Sequence, residues 1–120
     1  MISPVGVGID LVDVARFRSV LSRRPRVAER LFSERERDDA PHVEGLAARF
    51  AAKEATWKAL GVGLGATGFR DVEVQRTSSG APTLVLRGRA AELARQQGVA
   101  RWHVSLTHTA TTAAAVVMAS

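Results

Sequence analysis

"RFAAKEATWKAL", residues 49–60, decides the fold because it predicts a long helix whose charges lie beside its apolar stripe. At about 100° per residue, the large apolar side chains gather on one arc: Leu46, Phe50, Trp57 and Leu60. Lys53 falls inside that arc, Glu54 lies at its edge, and Lys58 lies one turn beyond Glu54. A helix that only buried a stripe would keep its polar residues on the opposite side. This placement indicates a function for Glu54 and its basic neighbours.

The segments before this helix predict one strand and several helices. "VGVGIDL", residues 5–11, alternates, so Gly6, Gly8 and Asp10 share one face of a strand. A helix follows and stops at Pro25, and residues 26–40 predict short, highly charged helices. The long helix runs from about Glu44 to Leu60 and ends at the glycine-rich "GVGLGATG".

The remainder predicts a hairpin, a helix and two strands. "DVEVQR" and "PTLVLRG" flank the turn "TSSGA", "RAAELARQQG" is helical, and "RWHVSLTHTATTAAAVVMA" contains two strands. The element order is therefore β-α-α-α-β-β-α-β-β. We expect an α+β fold with a mainly antiparallel sheet packed against one long helix, in a single domain over residues 1–120.

Composition narrows the class of protein. The 120-residue chain has no Cys, which excludes disulfides and thiolate metal sites and agrees with a reducing cytoplasm. It also has no run of 18 apolar residues and no leader pattern, so we expect a cytoplasmic protein without a membrane partner.

Positive charge is concentrated near the amino terminus. Residues 16–30 contain six Arg and a single acid, Glu29, so the net charge of this segment is +5. The net charge of the whole chain is also +5. Such a field favours an anionic partner: nucleic acid, a phosphorylated small molecule or an acidic protein. A small Arg-rich nucleic-acid-binding domain is the alternative function. Against it, aromatic residues are few and do not interleave with the basic ones, and acids follow quickly.

Several polar side chains occupy positions that suit chemistry. Asp10 ends a glycine-lined strand face, and if it meets Glu54, the two carboxylates provide the oxygen ligands that Mg²⁺ prefers. The simpler explanations are a turn at Asp10 and an (i, i+4) ion pair between Glu54 and Lys58. Arg49 and Lys53 lie one turn apart, although Lys53 could simply extend past the apolar stripe to solvent. His108 ends a strand, where it could act as a base, bind phosphate or serve as an ordinary hydrogen-bonded histidine.

Three stretches together resemble one family. "GVGIDLVDVARF" is similar to its amino-terminal signature, "RFAAKEATWKALG" to its central signature, and "HVSLTHT" with "AAAVV" to its carboxy-terminal end. The family is holo-acyl-carrier-protein synthase, the small type of 4′-phosphopantetheinyl transferase, and the motif order is kept from about residue 5 to 118.

The resemblance implies Mg²⁺-dependent transfer of the phosphopantetheine arm of coenzyme A to a serine of an acyl carrier protein, with adenosine 3′,5′-bisphosphate as the other product. The carrier would serve fatty acid or polyketide synthesis, and Mn²⁺ could replace Mg²⁺. Asp10 and Glu54 match the metal ligands, and Lys58 matches the lysine set against the phosphates. The family positions that line the nucleotide and phosphate pocket for coenzyme A are matched by Arg49, Lys53, His108 and Thr109.

The resemblance leaves the general base open. Some relatives have Asp where this chain has Thr109, so the serine proton would go to Asp10, to Glu54 through a metal-bound water, or to His108. A carboxylate or metal-bound water is favoured.

The resemblance further implies a homotrimer with active sites between subunits. It also matches Arg16, Arg23 and Arg26 to the basic region that docks the acidic carrier protein.

Overall fold

The computed structural model describes residues 5–120 and has the expected α+β class. Its elements are β1 (Gly6–Asp13), α1 (Val14–Arg23), α2 (Val27–Leu31), α3 (Glu34–Asp39), α4 (Val43–Ala59), β2 (Val72–Arg76), β3 (Pro82–Leu86), α5 (Gly88–Gln96), β4 (Trp102–His108) and β5 (Thr112–Ala119). A 3₁₀ turn, Phe69–Asp71, precedes β2. The order agrees with the prediction, except that the charged region 26–40 folds as two helices, so that four helices precede β2.

The strands form two antiparallel sheets. The larger has the order β1-β5-β4, with β5 in the centre, and the smaller is the β2-β3 hairpin. The first strand therefore pairs with the last one along the chain, from Gly6 opposite Ala119 to Asp13 opposite Thr112. Because of this long-range pairing, Asp10, which is near the amino terminus in the sequence, lies in the interior of the fold.

Helix α4 is buried on most sides rather than on one stripe. Alanines make this possible, because small side chains let α4 pack closely against its neighbours: Ala47, Ala48, Ala51, Ala52, Ala55 and Ala59 are all buried. Helix α4 packs extensively against β1 and β5. At 17 residues it is the longest helix, and within residues 5–120 no helix is both long and apolar enough to cross a membrane.

Two glycines set the distance between β1 and α4. A Cβ atom added at Gly8 would lie 1.8 Å from the carbonyl oxygen of Ala55, and one added at Gly6 would lie 2.0 Å from that of Ala59. Both distances are far below van der Waals contact, so only glycine permits this approach. As a result, the glycine face of β1 meets α4, and Asp10, on the same face, comes to the helix as well.

The opposite face of the larger sheet is apolar and exposed. Five large side chains on β1 and β5 project from it: Val7, Ile9, Leu11, Val116 and Met118. They form one surface because Val7 is paired with Met118 and Ile9 with Val116. We call this surface the outer sheet face.

Candidate active site

Asp10 lies at the contact between β1 and α4 and is 9% exposed. Its Oδ1 accepts a hydrogen bond from Lys58 Nζ at 3.1 Å. Its Oδ2 is buried and has no hydrogen-bond partner among the described residues. A buried carboxylate oxygen without a donor is costly, so its presence indicates that a ligand completes the site.

Glu54 faces Asp10 from α4. Burial and, to a smaller extent, the charge of Asp10 together raise the pKa of Glu54 to about 7, while the charge of Lys58 opposes the rise. Such a shift is typical of two carboxylates that share one site, because both cannot be ionised there without a counterion. The two acids, 44 positions apart in the sequence, therefore lie together.

Lys58 completes this group, which we call the acid pair with its lysine. Its Nζ donates to the carbonyl oxygen of Ile9 at 2.9 Å as well as to Asp10. The structure thus pairs Lys58 with β1 rather than with Glu54 one turn earlier on α4. An ammonium has three donors, so one remains for a ligand, and the half-exposed side chain is accessible to it.

A cleft of about 870 Å³ opens beside the acid pair. Asp10 and Glu54 line it together with mostly apolar side chains, and the rings of Phe17, Phe50 and Phe69 form part of its wall. Phe50 lies between the other two, with ring centroids 5.3 Å from Phe17 and 6.1 Å from Phe69. The cleft is large enough for a small organic substrate.

The acid pair fits a divalent ion with hard oxygen ligands. Asp10 Oδ2 has no donor among residues 5–120, and Glu54 is adjacent, which gives two carboxylates. Within residues 5–120, no cluster of three or more His, Cys, Asp or Glu side chains could hold a metal. Two carboxylates suffice for Mg²⁺, because this ion keeps several waters and takes further ligands from substrate phosphates.

A second, smaller cavity of about 230 Å³ is lined by basic side chains. Arg49 and His108, both predicted for the coenzyme pocket, line it, and so does Arg76, which sequence reasoning missed. Thr109, next in the chain, lies in the turn between β4 and β5, where its Oγ1 accepts from the backbone amides of Thr111 and Thr112. This cavity shares no lining residue with the cleft of the acid pair.

Lys53 was predicted to line the coenzyme pocket or to extend to solvent, but it lies in the interior of the fold. It is fully buried, and its Nζ donates to Glu36 Oε1 at 2.9 Å, to the carbonyl oxygen of Phe69 at 2.9 Å and to that of Val72. All three donors are used, so neither a solvent-exposed position past the apolar stripe nor a contact with a nucleotide is compatible with this environment. Lys53 joins α4 to α3 and to the start of β2.

Sequence reasoning also missed Glu36, the partner of Lys53. Glu36 is fully buried, accepts from the Ser33 amide at 3.0 Å in a capping box, and accepts from the Val74 amide at 3.0 Å. The pattern Ser-x-x-Glu at residues 33–36 signals this cap. Nothing in the single sequence indicates the contact with Lys53.

The predicted docking arginines fall around the mouth of the cleft and beyond it. Arg16 and Arg23, on α1, line the cleft of the acid pair. Arg26 lies just after α1 and lines a separate surface depression with Arg24 and Arg30. Among the exposed arginines of residues 16–30, Arg16, Arg23 and Arg24 therefore line the same cleft as the acid pair, and their positive charge suits an anionic partner.

Comparison with known proteins gives a consistent result. A family model described as the 4′-phosphopantetheinyl transferase superfamily matches residues 6–117. The holo-[acyl-carrier-protein] synthase of Beutenbergia cavernae is 51% identical over 116 residues, covering 96% of this chain and 97% of the relative. That of Frankia alni is 50% identical over 115 residues, covering 96% of each.

Solved structures agree with these relatives. The holo-[acyl-carrier-protein] synthase of Neisseria meningitidis has a TM-score of 0.87 at 31% identity, covering 98% of this chain and 99% of that one. The Helicobacter pylori enzyme, in complex with coenzyme A, has a TM-score of 0.86 at 32% identity, covering 95% and 99%. The chain therefore belongs to the 4′-phosphopantetheinyl transferase superfamily, as an enzyme of the holo-acyl-carrier-protein synthase type.

Proposed function

We propose that the protein transfers the 4′-phosphopantetheine arm of coenzyme A to a serine of an apo acyl carrier protein in a Mg²⁺-dependent reaction. The observation that carries this proposal is the acid pair, with its unpartnered Asp10 Oδ2 at the edge of a substrate-sized cleft. It is supported by the relatives named holo-[acyl-carrier-protein] synthase and by the neighbour solved with coenzyme A.

The reaction is a phosphoryl transfer in which positioning and charge do most of the work. The serine Oγ attacks the phosphorus that carries the pantetheine arm, and the bond from that phosphorus to the bridging oxygen breaks. Adenosine 3′,5′-bisphosphate leaves with the bridging oxygen. We assign to the third donor of Lys58, which is left over from its bonds to Ile9 and Asp10, the stabilisation of the negative charge that develops as this bond breaks.

Asp10 and Glu54 would hold Mg²⁺, which supplies positive charge to the diphosphate when bound. Glu54 is rigidly supported because it belongs to a helix buried on most sides. We assign the serine proton to a carboxylate of the acid pair, because a pKa raised to about 7 suits Glu54 as a proton acceptor near neutral pH.

We propose a homotrimer in which the active site forms between neighbouring subunits. Two features support assembly. The outer sheet face exposes a continuous apolar surface, which is typical of an interface with another protein. The acid pair and the basic cavity are also separate within one subunit, so a neighbour could bring its Arg49 and His108 to the diphosphate site.

The carrier protein would dock on the arginines around the cleft. Arg16 and Arg23 lie beside the cleft that contains the acid pair, where an acidic carrier would present its serine. Electrostatic attraction of this kind raises the encounter rate and makes it sensitive to salt. Arg23→Glu should therefore raise KM for the carrier by about tenfold while KM for coenzyme A changes little, whereas equal effects on both would remove the docking role.

The nucleic-acid alternative is not favoured. Three of the arginines that suggested it line a cleft with three carboxylates, those of Asp10, Asp13 and Glu54, which would repel a phosphate backbone unless a cation were bound. The named relatives are enzymes that act on a carrier protein.

A mass measurement tests the proposed function. Purified protein is incubated with coenzyme A, Mg²⁺ and a panel of apo carrier proteins from fatty acid and polyketide synthesis at low salt. We expect the mass of at least one carrier to increase by one phosphopantetheine arm, and Ser→Ala in that carrier to abolish the increase. An unchanged mass for every carrier would refute the proposal.

A further inference from the structure

Lys53 holds both ends of the 3₁₀ turn that precedes β2. Its Nζ donates to the carbonyl oxygen of Phe69, the first residue of the turn, at 2.9 Å, and to that of Val72, the residue directly after the turn. The third donor goes to Glu36 Oε1 at 2.9 Å. The ammonium of Lys53 is therefore the point at which α4, α3 and the turn are joined.

The turn forms part of the wall of the cleft beside the acid pair. Phe69 lines this cleft, and its ring is stacked on that of Phe50 with centroids 6.1 Å apart and an interplanar angle of 20°. The ring also packs edge-on against Trp57, with centroids 5.1 Å apart. Because the backbone of the turn carries the Phe69 ring, a shift of the turn would move this ring within the cleft.

Lys53 also contacts the other end of the aromatic wall. Its Nζ lies 5.6 Å from the centroid of the Phe32 ring, within the range of a cation–π interaction. Phe32 is fully buried and packs edge-on against Phe17, which lines the cleft from α1, with centroids 6.2 Å apart. One buried charge therefore contacts both the turn that carries Phe69 and the ring behind Phe17.

The environment of Lys53 suits a positioning role. Replacing a buried ion pair with uncharged side chains of similar volume is often neutral for stability, because both charges are costly to remove from water. Such a replacement does remove direction, since the three donors of an ammonium fix three acceptors, whereas an apolar side chain only fills space. Lys53 and Glu36 are both completely buried, so neither is accessible to a ligand. The pair can act on the reaction only through the position of its neighbours.

We propose that Lys53, with its charge balanced by Glu36, is a positioning residue for the transfer: it holds the turn Phe69–Asp71 so that the cleft wall fits the carrier protein. Lys53 touches neither coenzyme A nor the carrier. This inference rests on the proposed function, which places the acidic carrier at this cleft. The loss of Lys53 should therefore act mainly on the KM for the carrier.

The test uses a double variant that removes both charges and keeps the volume. In Lys53→Met with Glu36→Gln, methionine fills the space of the lysine, and glutamine retains an oxygen that accepts from the Val74 amide. Val104→Ala is the matched control, because Val104 packs against the core from β4 and lines neither the cleft nor the basic cavity. Initial rates of carrier modification are measured for wild type and both variants at a temperature at which each is folded.

We expect the double variant to raise the KM for the carrier by about tenfold, because a small displacement of a positioning wall is enough for such a loss. The KM for coenzyme A should change little. Val104→Ala should lose some stability and keep both KM values. Hydrogen exchange followed by mass spectrometry gives a second readout: the amides of residues 69–74 should exchange about tenfold faster in the double variant, even though its global stability is mostly retained.

Three results would overturn the inference. An unchanged KM for the carrier would show that the position of the turn does not affect the reaction, and unchanged exchange at residues 69–74 would show that Lys53 does not hold the turn. An equal rise of KM in Val104→Ala would trace the effect to lost stability alone. If wild type modifies no carrier, the proposed function fails, and the exchange of residues 69–74 decides the inference by itself.

Discussion

Lys53 and Glu54 are neighbours on α4, yet they lie in opposite electrostatic environments. Lys53 is sealed in the interior, where Glu36 and two carbonyl oxygens satisfy all its donors. Glu54 borders an open cleft and faces another acid, Asp10, whose Oδ2 has no donor in the described part of the chain. One region is a complementary ion pair, and the other is a pair of like charges.

This contrast separates stability from function within one sequence motif. A buried ion pair that is fully hydrogen-bonded has no capacity left for a ligand, and breaking it harms the fold. A pair of like charges with an unsatisfied oxygen costs stability and is relieved when a cation binds. The unsatisfied region of α4 is therefore the one to which we assign chemistry.

The largest expected effect comes from breaking the buried ion pair. Lys53→Met leaves the Glu36 carboxylate buried without its cation and should lower the free energy of unfolding by about 3–5 kcal/mol. Lys58→Met is the matched control on the same helix. Because Lys58 is half exposed, that change should cost about 1 kcal/mol or less but reduce turnover. Urea unfolding of both variants measures the difference.

A double variant sharpens this prediction. Glu36→Gln retains an oxygen that can accept from the Val74 amide, so Lys53→Met with Glu36→Gln should regain most of the lost stability. Losses that simply add would contradict the ion pair as the cause.

The second effect concerns the acid pair. Glu54→Gln removes one carboxylate and should lower kcat/KM about 10²- to 10³-fold. The melting temperature should stay equal or rise, because the repulsion from Asp10 is removed. Rates from the carrier mass assay and a thermal melt test both points. Normal turnover in this variant would exclude Glu54 from the site.

The third effect tests how β1 brings Asp10 to α4. Gly8→Ala places a Cβ 1.8 Å from the Ala55 carbonyl oxygen, so β1 must move away, at a cost of about 1–3 kcal/mol and of weaker metal binding. Gly63→Ala is the matched control, because within the described residues nothing lies within 4 Å of the added Cβ. Its stability should be unchanged or slightly higher. Equal stabilities for the two variants would contradict the close-approach role of Gly8.

The smallest effect is a pH dependence without metal. The pKa of Glu54 is raised from about 4.5 in the unfolded chain to about 7 in the folded protein, so the folded state binds more protons between these values. Stability should therefore fall as pH rises from about 4.5 to 7 and then level off. Subtracting the profile of Glu54→Gln isolates this contribution. Added Mg²⁺ should raise the melting temperature more at pH 8 than at pH 5.5.

Much of the fold follows from local patterns. Alternation predicts the strands and apolar spacing predicts the helices, and the observed α4, Val43–Ala59, lies within one residue of the expected ends. The division of the strands into two sheets does not follow, because β1 pairs with β5 about 100 residues away. Local patterns contain no information about such long-range pairing.

The site shows the same limit. The glycine-lined strand face and the charges beside the apolar stripe suggested only that Asp10 and Glu54 could meet, and the family resemblance grouped them with Lys58. The burial of Lys53 could not, because its partner Glu36 lies on another helix and the sequence gives no register between the two. Arg76 was missed for a similar reason, since the fold of the β2-β3 hairpin is what brings it to Arg49.

Direct measurement of metal binding tests the central claim that Asp10 and Glu54 hold one divalent ion between them. Mn²⁺ binding is followed by electron paramagnetic resonance for wild type, Asp10→Asn and Glu54→Gln, with and without coenzyme A. We expect one Mn²⁺ per subunit in wild type, tighter binding with coenzyme A, and loss of binding in both variants. Undiminished binding in both variants would contradict it.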